Sequence, residues 1–237
     1  MDTFSIAPPG RAAVAEPGGG RAAAGMLGLA GPAFVDAFAR AGHAAFRRDL
    51  ERLAAAAAAG RAHAPLVRAG WENLKEQLRL HHELQEGALW PRVERAVAGH
   101  RPELGVLAEL RAEYVRVGPL VAVLDAALED GGREEVASAV RELRTVLEVH
   151  LRHEEAGVLA LARRVLGPAD WAGFAGDAVA ACTAAGGGCG EGTVPWMVDG
   201  IAPLERSRFL TALPREVREL NRLRWEPRYR RRRLWSV

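Results

Sequence analysis

Residues 136–161, VASAVRELRTVLEVHLRHEEAGVLAL, carry a stripe of Val136, Val140, Leu143, Leu147, His150, Glu154, Val158 and Leu161 at steps of three and four. That step is the period of one helix face, and on such a face residues four apart stand one above the other. His150 and Glu154 therefore point the same way as the valines and leucines, into a core. Withdrawing an ionised carboxylate from water costs several kcal/mol unless it is paired or bound to a cation. The stretch predicts a buried helix and, within it, a polar group that needs a partner.

The segment HHELQEGALWP, residues 81–91, repeats the pattern earlier in the chain, with Gln85 where the later copy has Glu154. Its stripe is Trp71, Leu74, Leu78, His81, Gln85 and Leu89, predicting a helix from the GRAHAP break to Gly99, bent at Pro91. Upstream, Ala39, His43, Phe46, Leu50, Leu53 and Ala57 predict a helix over 32–59 opened by Pro32. Between the two His-led segments, Leu107, Leu110, Tyr114, Val117, Val121, Leu124 and Leu128 predict a helix that begins at Pro102 and is kinked at Pro119. EDGG at 129–132 ends that helix, and the fourth stops before Gly167 and Pro168.

Short connections force neighbouring helices to run antiparallel, so the fold expected is all-α, an up-down-up-down four-helix bundle. His43 lies about 11 residues into the first helix and Tyr114 about 12 into the third. His81 and His150 each lie about 16 before the ends of theirs, so at ~1.5 Å per residue all four reach one layer.

A chain of 237 residues has room for one core and an extension. The expected division is a disordered lead-in over 1–31, the bundle over 32–166 and a helical extension over 167–237. Within the extension a fifth helix is expected at 168–183, a flexible Gly-rich linker at 184–192, and short helices at 203–213 and 214–224. The formal charge is +2, yet Arg outnumbers Glu heavily from 214 onward, so the basic character belongs to the tail. The tail RWEPRYRRRRLWSV, with Trp225, Tyr229 and Trp235 among its arginines, has the chemistry to contact acidic lipid headgroups or nucleic-acid phosphates. A solvated basic terminus is the plainer reading, and the one preferred here. Cys182 and Cys189 are not spaced as a zinc motif or a disulfide framework, which suits a reducing cytoplasm. No run of about 18 apolar residues suggests a transmembrane segment.

GHAAFRRDLERL (42–53), HHELQEGALWP (81–91), AEYVRV (112–117) and HLRHEEAGVLALA (150–162), in that order, resemble the hemerythrin-like HHE cation-binding domain in its actinobacterial form. ADWAGF and LERSRFLTALP are similar to the C-terminal extension of such proteins. The resemblance implies a bundle holding iron, as a bridged di-iron centre, or else a single iron or another divalent metal. It implies dioxygen, nitric oxide or peroxide as the small ligand, or a role in sensing iron or oxygen. It places metal ligands at His43, at His81 and Gln85, at Tyr114, and at His150 with Glu154.

Two of these depart from the family's pattern. Gln85 stands for a bridging glutamate and, being neutral, offers a single carbonyl oxygen. Glu86 can replace it if His82 becomes its partner at the same four-residue spacing. Tyr114 stands for a histidine, and its phenol, with an ordinary pKa near 10, must be deprotonated by the metal to ligate. His153, Glu83 and Glu155 either orient ligands or face solvent, and solvated helix faces are the default for them. The competing reading is a degenerate, metal-free or single-metal bundle acting as an interaction or structural module. Nothing in the chain identifies an organic substrate, so binding or sensing is expected ahead of catalysis.

Overall fold

The computed structural model describes residues 32–184, 189–213 and 215–236. The expected lead-in over 1–31, the middle of the Gly-rich stretch and the side chains of Cys182 and Cys189 lie outside the described residues. The bundle consists of α1 (Pro32–Ala58), α2 (Pro65–Leu84), α3 (Trp90–Ala96), α4 (Arg101–Val115), α5 (Val117–Asp130), α6 (Arg133–His153) and α7 (Leu159–Val165). α2 passes into α3, and α6 into α7, through one π-helical turn each, Gln85–Leu89 and Glu154–Val158. These seven segments make four rods.

Local chemistry sets the ends of the rods. Pro65 and Pro102 sit in first turns, where a missing N–H costs nothing. Gly60 and Gly99 follow helix ends with φ of +70° and +87°, a left-handed conformation that a Cβ would disfavour. The Gly132 N–H donates to the Glu135 carboxylate at 2.7 Å and so caps α6. The third rod is interrupted at Arg116 because Pro119 has no N–H to give the carbonyl of Val115.

Cross-rod pairs fix direction and register. Arg47 reaches Glu148, and Glu51 pairs with Arg144, so numbers rise in α1 as they fall in α6. The Trp71 indole donates to Asp125 at 2.6 Å while Glu86 pairs with Arg111, giving the same antiparallel sense to the second and third rods. Tyr114 lies beside His150, and Glu103 pairs with Arg164, closing the third rod on the fourth. The up-down-up-down arrangement expected from the stripes is the one observed.

The apolar core is not continuous. One cluster contains Phe46, Leu50, Leu74, Leu78, Val117, Leu147 and Leu151. A second, at the other end, contains Leu89, Trp90, Leu107, Leu110, Val158 and Leu161. Between them lie His43, Gln85, His150 and Glu154, all buried. The polar layer coincides with the two π-turns.

The extension comprises α8 (Pro168–Ala184), α9 (Cys189–Val198), α10 (Pro203–Ala212), α11 (Arg215–Leu220) and α12 (Glu226–Arg231), with a third π-turn, Asn221–Trp225, joining the last two. Two expectations need correction here. The linker expected at 184–192 gives way to helix from Cys189, and Pro195 sits inside α9. Val194, Trp196, Met197 and Val198 join the main core, and that burial outweighs the poor helix propensity of Gly and Pro. The tail is also not free in solvent. Tyr229 is buried, Arg232 donates to Asn73 at 2.8 Å, and the Trp235 N–H donates to the Leu66 carbonyl at 2.9 Å. The Trp235 ring lies flat over Gly70, so close that a Cβ there would come within 2.4 Å of it. Among the described residues no helix is long and apolar enough to cross a membrane.

Candidate metal centre

The fourth rod supplies a carboxylate and the first two supply imidazoles. Glu154 is 1% exposed and His43 0% exposed. His81 Nε2 stands 3.1 Å from Glu154 Oε2, and His43 Nε2 stands 3.2 Å from the same oxygen. Among the described residues, His43, His81 and Glu154 form the one group of His, Cys, Asp and Glu side chains whose ligand atoms all lie within 4.8 Å of one another.

Hydrogen bonds hold this group in place. His43 Nδ1 lies 2.8 Å from Glu155 Oε1, and an ionised carboxylate only accepts, so the proton is on Nδ1. Nε2 is buried without a hydrogen bond, 3.2 Å from the Glu154 oxygen. The Gln85 amide lies 2.9 Å from His81 Nε2, the same nitrogen that faces Glu154. His81 Nε2 is at hydrogen-bond distance from Glu154 Oε2, so two imidazole nitrogens converge on one carboxylate oxygen. Glu154 Oε1 and Gln85 Oε1 are buried beside them without a partner. Such a cluster demands positive charge, as a proton or a metal ion.

The titration shifts express the same demand. Burial pushes the Glu154 carboxyl upward, but His81 and His43 outweigh it and hold the group well below the usual carboxylate range. Burial lowers the His43 imidazole, while Glu154 and Glu155 more than offset that and raise it. Glu155 is held low by His43 and by Arg47, 3.1 Å away, against the upward push of its own burial. His150 is lowered by burial despite the carboxylates nearby.

The remaining expected ligands do not join the group. Both ring nitrogens of His150 are buried without a hydrogen bond, with Nδ1 3.6 Å from Glu113 Oε2. Tyr114 stacks on His82 with ring centres 3.3 Å apart and planes 9° apart, and its ring lies 5.7 Å from that of His150. Burial first, then Glu83 and Glu86, raise the phenol above its ordinary value, so it resists ionisation. Glu86 pairs with Arg111, which also binds Glu94 and covers the Trp90 ring. His82, offered as its alternative partner, instead packs between Tyr114 and Trp90, and burial with His81 and His150 nearby lowers it to about 3.

Two residues gain roles that the stripes did not assign. Glu155, expected to face solvent by default, orients His43. Glu113 binds His153 and lies beside His150. Both sit one position off a stripe, where helical periodicity predicts the edge of a face and not its partner. The charge pattern held a signal for Glu155, because Arg47, Glu148 and Glu155 interleave across two antiparallel rods.

The extension reaches the centre through Trp196. Its indole donates to the buried Asp49 at 2.8 Å, and its ring lies 5.0 Å from Phe46, which in turn lies 5.5 Å from His81. Arg48 and Arg52 bind the other oxygen of Asp49 and anchor Asp199.

A family model described as the hemerythrin HHE cation-binding domain matches residues 36–162. Comparison with curated proteins returns no match, and comparison with solved structures returns none. The matched span takes in nearly all of the four rods and every residue of the polar layer. The chain belongs to the hemerythrin HHE cation-binding family.

Proposed function

We propose that this protein binds iron at the polar layer and presents it to a small ligand, dioxygen, nitric oxide or peroxide, as a binding or sensing device. The observation that supports this best is the convergence of His43, His81 and Glu154 in a layer that interrupts the core. Iron with free coordination positions supplies Lewis-acid and electron-transfer chemistry toward such ligands. The protein's part is positional. Glu155 orients His43, Phe46 packs edge-on against His81, and the two apolar clusters flank the layer.

The test is reconstitution of the full chain with ferrous iron under argon, followed by metal analysis and the visible spectrum after admission of air or nitric oxide. Bound iron with a ligand-dependent charge-transfer band is expected. Protein that stays colourless and metal-free overturns the proposal. A second reading, a metal-free interaction module, draws on the extension's buried Asp49–Trp196–Arg48 anchor, which needs no ion. It predicts the same melting temperature with and without iron.

A further inference from the structure

We infer that the centre takes one metal ion per chain, held on a face of two imidazoles and one carboxylate by His43, His81 and Glu154. This rests on the metal-binding reading above and departs from the bridged pair of ions that the family's pattern implies.

Geometry is the first argument. The three donors of that face come from three rods and already lie within 4.8 Å of one another. His150 is in the same layer but outside the group, with Nδ1 3.6 Å from Glu113 Oε2 and its ring 5.7 Å from that of Tyr114. A two-histidine, one-carboxylate face is a complete protein set for one first-row ion, with its other positions open to small ligands.

Charge is the second argument. Two divalent ions would bring four positive charges into a layer where, among the described residues, Glu154 is the one fully buried carboxylate. Glu86 is held by Arg111, Glu113 by His153, and Glu155 by His43 and Arg47. Gln85 adds no charge, and whichever way its amide is turned it offers one oxygen, where a bridge between ions uses two. Tyr114 is neutral unless an ion takes its proton. Uncompensated positive charge in such a site costs several kcal/mol. One ion is matched by Glu154 and completed by a ligand from solution. His150 is then a buried imidazole beside the site, with neither nitrogen hydrogen-bonded.

Anaerobic titration of the metal-free full chain with ferrous iron, read by metal analysis and intact mass, tests the count. One ion per chain is expected in the wild type and in His150→Ala, none in Glu154→Gln, and two in the double variant Gln85→Glu, Tyr114→His. Two ions in the wild type overturn this inference and leave the proposed function standing. No ion in the wild type overturns both. Loss of the ion from His150→Ala, with its helical circular dichroism intact, overturns the assignment to His43, His81 and Glu154. A double variant that stays at one ion overturns the claim that charge at Gln85 and Tyr114 sets the limit.

Discussion

The two π-turns, Gln85–Leu89 and Glu154–Val158, are the same backbone device used in two rods. Each opens four residues after a histidine, and each widens the helix by one residue where the polar layer lies, as such bulges do at functional sites. The side chains on them behave differently. Glu154 meets two imidazoles, while Gln85, at the equivalent place, meets one. Their neighbours diverge as well: Glu155 turns to His43 and holds it, while Glu86 turns to Arg111 on the surface. Identical helix geometry thus yields one turn that carries charge to the centre and one that carries only shape. Backbone form fixes where a side chain arrives, and a single atom, O or NH2, fixes what it can bind.

Four measurements would break or sharpen that contrast. The largest effect is expected from Glu154→Gln, which removes the carboxylate that meets both imidazoles and should abolish iron binding in an equilibrium titration. An unchanged affinity would mean that the two turns are equivalent after all. Next, Glu155→Gln should weaken iron binding by about 10- to 100-fold, the usual cost of losing a carboxylate that orients a ligating imidazole. Glu86→Gln should leave affinity within about twofold, and equal losses in the two variants would erase the distinction between the outer residues.

Third, Gln85→Glu places a second carboxylate beside Glu154. In the metal-free protein it should lower stability to chemical denaturation by about 1–3 kcal/mol through like-charge repulsion and burial. Added iron should restore most of this. The smallest effect concerns acid. His82, on the first turn's side of the layer, is held neutral with a folded pKa of about 3 against 6.5 for the free side chain. The unfolded chain therefore binds the extra proton below pH 6.5, and metal-free stability falls as pH drops from there toward 3. In His82→Phe that limb should be shallower by at most about 1.4 kcal/mol per pH unit, as judged from denaturation midpoints at stepped pH. An unaltered slope would show that His82 is not the group responsible.

Much of this was legible in the sequence. Steps of three and four in the apolar stripes carried the four rods, their antiparallel order and the common level of His43, His81 and His150. The inward direction of Glu154 followed from Val158 and Leu147 on the same face. The π-turns were not legible, because a one-residue widening leaves the stripe nearly unchanged; the one in the second rod ends two residues before Pro91. Which inward groups converge was equally hidden. His81 and His150 look alike as letters, yet only the first faces Glu154 together with His43, since that depends on how the rods are rotated. α9 was missed because Gly190, Gly192 and Pro195 mark a linker by composition, while Trp196 and its bond to Asp49 exist only after the chain folds back.

The indole of Trp235 occupies the space that any side chain at position 70 would claim. These two sites, far apart in the chain, therefore cannot vary independently. Across relatives with the same tail, even alanine at position 70 should appear only alongside a small residue at position 235. Paired replacement at these two sites, traced through many genomes, would reveal how long ago this terminus became fastened to its helix.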